Sequence, residues 1–323
     1  MFDPDMLYSA GLGLLAALLA SSILAPFILK ALVKAKSQQT IHHSLQEHAH
    51  KQGTPTMGGL IVLAGVASAA ALAGFRDLAA PLVLMAVFAV LGYLDDYLIP
   101  KLKPGKRGFD WMPKMACQIA AVAGSLALAG RLDPISFGLG LFLILFYSNA
   151  YNFSDGLDSL AGGLGMILAG AFIIILGMVM GSQTLGFLLG AVIGGLMPFM
   201  FLNAPPAKVF MGDVGALSIG ALFGWTTLVL LVPVPGEPMD LTLLLPLIVV
   251  SLVMFAEIVP VPLQVASAKL RKGKRLFPFK TPIHHGVQEL GWSESRIAWL
   301  FHLVQAGCAV AGIILYAVMR VNA

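Results

Sequence analysis

The sequence predicts an all-α, polytopic membrane protein of about ten transmembrane helices, with both termini on the periplasmic or extracellular side. Three observations predict it. Of 323 residues, 58% are hydrophobic and only 11% charged, against roughly 25% charged in a soluble domain. The mean hydropathy is +0.88. A water-soluble exterior cannot be built from so few charges, whereas lipid accepts apolar surface provided that backbone polar groups are satisfied within helices. The third observation is that ten apolar runs approach the length of about 20 residues that crosses a bilayer. They lie at about 7–29, 58–75, 79–94, 115–130, 135–151, 160–180, 184–202, 214–232, 241–262 and 295–318.

The first run follows Asp3 and Asp5 rather than a basic segment, and Ala25-Pro26-Phe27 is a poor cleavage site, so it reads as a retained helix. Several of the second to eighth runs are short or Gly-rich, and the even-numbered loops are short, Pro- or Gly-bearing connectors with scattered acids. The ninth contains Glu257, the only mid-span acid, beside Pro260 and Pro262, where a kink is expected. His302, in the tenth, reads as a hydrogen-bonded packing residue. Cys117 and Cys308 sit inside apolar runs and offer neither a disulfide framework nor a metal-ligand spacing. No internal repeat interrupts residues 1–323, which read as a single domain.

Ten spans create nine loops. All but three of the 20 Lys and Arg residues fall in the odd-numbered loops or at their edges; the exceptions are Arg76, Arg131 and Arg320. Basic residues mark the cytoplasmic side, so the odd loops are expected there. The basic face would also attract anionic lipid headgroups and phosphorylated solutes, although setting topology is a sufficient role for most of these residues. A nucleic-acid partner is not expected.

The odd loops also hold six of the seven His residues and most of the unusual polar ones. Loop three opens with Gly92-Tyr93-Leu94-Asp95-Asp96-Tyr97. Adjacent carboxylates at a membrane boundary are costly unless paired or bound to a cation, and such oxygens suit Mg²⁺; a solvated helix end is the competing role. Loop five contains Asn152, Asp155 and Asp158, a polar stripe with no basic partner nearby, although Ser154 or Asp155 would also serve as an N-cap for the sixth span. In loop seven, Phe210-Met211-Gly212-Asp213-Val214-Gly215 puts an acid between glycines at the mouth of the eighth span. That suits close approach by a ligand, or simple N-capping. Loop one ends in Lys51-Gln52-Gly53-Thr54-Pro55-Thr56-Met57-Gly58-Gly59, a turn fit for phosphate contact but not a Walker motif. Loop nine carries His284 and His285, with no third soft ligand for Zn²⁺. Acids, His and Lys on one face fit Mg²⁺-assisted phosphate chemistry. A transporter would instead place charges at mid-membrane in broken helices.

These residues carry a resemblance. KQGTPTMGG at 51–59, LGYLDDYL at 91–98, NAYNFSDGLDSLAGG at 149–163, NAPPAKVFMGDVGAL at 203–217, and TPIHH with ELGWSE at 281–294 resemble the phospho-N-acetylmuramoyl-pentapeptide transferases. These belong to the wider polyprenyl-phosphate N-acetylhexosamine-1-phosphate transferases. The resemblance covers the odd loops in order. It implies Mg²⁺-dependent transfer from UDP-N-acetylmuramoyl-pentapeptide to undecaprenyl phosphate, giving lipid I and UMP, by a homodimer in the bacterial cytoplasmic membrane. It further implies Asp213, Asp155 and Asp158 as metal ligands, and Asp95, Asp96, Asp158, Asp213 and His284 as catalytic. Lys51, Thr56, Asn152, Asp155, Phe210, His284 and His285 would bind substrate.

Three positions depart from the family pattern. Gly286 stands for a third His, Ile99-Pro100 precede Lys101 where a Lys is expected sooner, and Ser159 stands where Gly is common. The nearest alternatives are a relative that transfers N-acetylglucosamine-1-phosphate to the same lipid, and a flippase for an anionic lipid-linked solute.

Overall fold

The computed structural model describes residues 3–35, 53–74, 78–103, 105–106, 108–179 and 181–321. In chain order the helices are α1 (Pro4–Lys34), α2 (Gly59–Ala73) and α3 (Ala79–Tyr93), the last continued by a π-helical turn at Leu94–Leu98 and a short turn at Ile99–Leu102. Then come α4 (Trp111–Leu128), α5 (Pro134–Phe153), α6 (Leu160–Val179), α7 (Gln183–Asn203) and α8 (Gly212–Leu231). The chain ends with α9 (Leu244–Val250), α10 (Leu252–Ile258), α11 (Pro260–Leu270), α12 (Ile283–Glu289) and α13 (Glu294–Val321). No β-strand occurs among the described residues. The protein is all-α.

Eight helices among the described residues are long and apolar enough to cross a membrane, counting α3 with its extension and α10 with α11 as single spans. The difference from the ten runs lies in α2 and α4. α2 has only 15 residues, and the apolar run of α4 is diluted at its start by Lys114 and Gln118. These helices are those of a chain that crosses a membrane many times.

α1 shows how lipid-facing and packed surfaces divide. Leu15, Leu19, Ile23 and Phe27 recur every four residues and are exposed, while Ala10, Gly13, Ala17 and Ser21 are buried on the other side. Such an apolar stripe has no place on a soluble surface. The buried side lies on α7, where Gly186, Gly190 and Gly194 stand one turn apart. A Cβ at Gly190 would collide with the carbonyl oxygen of Ala10, and one at Gly194 with that of Leu14. Small residues let two helix backbones touch where lipid supplies no hydrophobic drive.

α8 is almost wholly buried, as its all-round apolarity requires. α5 crosses it where Gly220 and Gly224 meet the backbone of Tyr147 and Ile144, and α2 begins against it, Gly59 upon Gly215. Gly215 therefore serves helix contact, whereas the sequence reading gave it to a ligand. The ninth span is broken at Ser251 and again before Pro260, near the expected kink. Gln305 of α13 donates to the carbonyl of Val250 at 2.9 Å, satisfying a buried polar group beside that break.

Candidate active site

The first N–H groups of a helix have no partner inside it, and at α8 the loops supply one. The N–H of Gly212 donates to Asp155 Oδ2 at 2.8 Å. Gly212 has φ +71°, a conformation glycine adopts without strain. A Cβ there would lie 2.5 Å from Asp96 Oδ2 and 2.6 Å from Thr56 Oγ1, so both side chains close on this backbone. Asp96 Oδ2 is buried and has no hydrogen-bond partner among the described residues.

Asp213 follows. Lys114, at the start of α4, donates to Asp95 at 2.9 Å and to Asp213. All three side chains are largely shielded, at 21%, 16% and 17% exposure respectively. The π-helical turn at Leu94–Leu98 carries Asp95 and Asp96; such turns are frequent at functional sites. Gly92 lies against the backbone of Asp213 and Val214, bringing the end of α3 directly onto the start of α8.

Asp155 and Asp158 lie in a turn between α5 and α6 rather than on a helix face. Both reach toward α8: Asp155 at its first residue, Gly212, and Asp158 Oδ2 at the N–H of Ala207 in the segment before it, 3.0 Å away. Asp155 therefore caps α8 and not the sixth span, while Ser154 bonds back to the carbonyl of Ala150 at 3.1 Å. Asn203 ties the same two segments, accepting from Ser159 N at 2.9 Å and donating to the carbonyl of Val209 at 2.9 Å. Asn152 ends α5 half-buried, its carbonyl accepting from the N–H of Asp155 at 3.1 Å. Ser159 has φ +67°, which explains why glycine suits that position.

Loop one joins through its backbone. Phe210 N donates to the carbonyl of Pro55 at 2.9 Å, and its own carbonyl accepts from Gly58 N at 2.7 Å. This seats Thr56 beside Gly212. Lys51 and the loop-one histidines lie outside the described residues. From the other side α12 brings His284, fully buried, whose Nδ1 is 2.6 Å from Glu257 Oε2. His285 is half-buried, its ring centroid 4.2 Å from that of His284. Gly286 is buried where a Cβ would sit 3.0 Å from the Phe279 ring. A third histidine would have to displace that ring.

Asp95, Asp96, Thr56, Asp155, Phe210 and Asp213 thus meet around the start of α8, Asp158 reaches Ala207 just before it, and His284 with His285 lies instead against the turn at Gly156. Among the described residues, no three His, Cys, Asp or Glu side chains gather closely enough to hold a metal by themselves. Asp213 turns to Lys114, Asp155 to Gly212 and Asp158 to Ala207. Mg²⁺ asks less than such a cage, since it takes one or two carboxylates and completes its shell with water and substrate phosphate. The unpartnered Asp96 Oδ2, buried against the backbone of Gly212, the residue before Asp213, fits that hard, partial donor set.

Sequence reasoning missed three residues. Lys114 counted only toward topology, although it is the lone charge in an apolar helix; that isolation was its signal. Glu257 was noticed as a mid-span acid without a role. Asn203 had no signal, because its partners are backbone groups, one six residues on and the other 44 residues back.

Residues 78–231 match a family model described as glycosyl transferase family 4. Residues 51–63 match phospho-N-acetylmuramoyl-pentapeptide-transferase signature 1. Proteins named phospho-N-acetylmuramoyl-pentapeptide-transferase from Staphylococcus aureus strains JH9, Newman and Mu50 are each 33% identical over 316 residues. The match covers 90% of this chain and 94% of theirs.

Proposed function

Since the chain belongs to the phospho-N-acetylmuramoyl-pentapeptide-transferase family, and is therefore a transferase, we propose that it moves phospho-N-acetylmuramoyl-pentapeptide from UDP to undecaprenyl phosphate. The products are lipid I and UMP, in peptidoglycan synthesis. One observation carries the reading: Asp95, Asp96, Asp155 and Asp213 converge with Lys114 at the mouth of an almost wholly buried helix. A lipid phosphate and a nucleotide sugar can meet at such a boundary.

In this mechanism an oxygen of the lipid phosphate attacks the sugar-bearing phosphorus. A new pyrophosphate bond forms, and the bond to UMP breaks, UMP leaving with the electron pair. Any proton on the attacking phosphate passes to Asp95, with Asp96 beside it. Lys114 swings its ammonium from the two carboxylates toward substrate phosphate. His284 and His285 contact phosphate or sugar, while Lys51, Thr56, Asn152, Asp155 and Phe210 position the donor. Asp213, Asp155 and Asp158 would hold Mg²⁺ together with the unpartnered Asp96 Oδ2, and the ion would supply charge neutralisation for two anionic reactants. We place this site on the cytoplasmic face, both termini opposite, within one domain spanning residues 1–323 that works as a homodimer.

The test follows UMP release by purified protein given undecaprenyl phosphate, Mg²⁺ and either UDP-N-acetylmuramoyl-pentapeptide or UDP-N-acetylglucosamine. Release with the first donor is expected, with its loss on chelation and return on added Mg²⁺. No release with either donor sinks the transfer reading, and release with the second alone sinks the donor assignment. Lys114→Met should lower kcat by about 100-fold, the scale for losing one group that stabilises developing charge. A variant with unchanged kcat would remove Lys114 from the site.

A further inference from the structure

Glu257 sits in α10, fully buried, in a span where an ionisable group is expensive and marks function by default. Burial of this kind needs a partner, and the partner is His284, its Nδ1 2.6 Å from Glu257 Oε2. His284 is also fully buried, and its Nε2 has no hydrogen-bond partner. That atom faces Gly156, where a Cβ would lie 2.5 Å from it. Gly156 is the middle of the turn that carries Asp155 and Asp158, and both acids are committed to the segment leading into α8. The imidazole therefore bears on the turn from below, and Glu257 bears on the imidazole.

We infer that Glu257 is a positioning residue for the transfer reaction: it fixes the tautomer and tilt of His284, and through that ring the backbone of the Asp155–Asp158 turn. The inference rests on the transferase reading for its kinetic part. With a carboxylate side chain as acceptor at 2.6 Å, the ring hydrogen is assigned to Nδ1, which leaves Nε2 as the atom presented to the turn. Partners of this sort set which ring nitrogen is available and how the ring is aimed. Glutamine at 257 keeps the shape but can turn its NH₂ toward Nδ1, which moves the ring hydrogen to Nε2.

Two measurements test this. In the first, ¹⁵N-histidine NMR of the wild-type protein reads the tautomer of His284 directly, assigned by its loss in His284→Gln. Protonated Nδ1 is expected, and a neutral ring protonated only at Nε2 overturns the inference whatever the enzyme catalyses. In the second, kcat and both KM values are measured for Glu257→Gln, His284→Gln and the double variant. Glu257→Gln should lower kcat about 10- to 100-fold, the range for an outer partner of a functional histidine, with the donor KM within about threefold. In the His284→Gln background it should add less than about twofold, because its route runs through that ring. Equal losses in both backgrounds, or wild-type kinetics in Glu257→Gln, overturn it. Absence of UMP release by the wild type counts against the transferase reading alone, and the NMR result then stands by itself.

Discussion

Asp213→Asn should lower UMP release by about 1000-fold, the upper scale for removing one preorganised charge from a reacting centre, while the protein still folds. The substitution keeps volume and removes one negative charge. Lys114 retains Asp95 at 2.9 Å, and the asparagine oxygen can still accept from it, so no buried ammonium is stranded. Asp213 is 17% exposed, and trading an ionic for a neutral acceptor there should cost about 1 kcal/mol of stability. The check is a paired one, kcat alongside the melting temperature in detergent. Near-normal melting with activity gone supports the assigned role, and near-normal activity removes it.

The second large effect concerns stability. Gly190→Ala should destabilise the protein by about 3 kcal/mol, the high end for overpacking. The single added methyl would collide with the carbonyl oxygen of Ala10, a backbone atom that moves only if α1 moves. Gly170→Ala is the control, since a Cβ at Gly170 meets nothing within 4 Å. In a helix interior that change should be neutral or stabilise by about 0.5 kcal/mol. Thermal or denaturant unfolding of both variants in the same detergent checks the pair. Equal stabilities would mean that α1 and α7 are not in the close contact described.

The helices were legible because each announces itself locally. Runs of apolar residues place α5 to α8 within about two residues of their observed ends. Loop chemistry was legible as residue type: Asp95, Asp96, Asp155, Asp158, Asp213, Thr56 and His284 were all singled out, and the fold brings them together. Pairing was another matter. Asp155 caps α8 across 57 residues, Lys114 reaches Asp213 across 99, and no local pattern encodes either. Lys101, nearer the acid pair in sequence, instead donates to the Tyr97 hydroxyl at 3.0 Å. Spacing suggested one helical face for Asp155 and Asp158. The competing pull was a non-helical turn held by Asn203, whose N–H and carbonyl partners, Ser159 and Val209, are backbone groups.

The central placement of α8 has a consequence for how the protein is made. Helices α2, α3 and α5 precede it in the chain, and each meets it at a close backbone approach, at Gly59, Gly92 and Ile144. Until residues 212–231 are made, those approaches have no partner. Asp95 and Lys114 then wait for an acid that has not been synthesised. The Asp95–Lys114–Asp213 cluster therefore cannot close before α8 has been made, and the His284 side of the site, which lies beyond residue 231, comes later still.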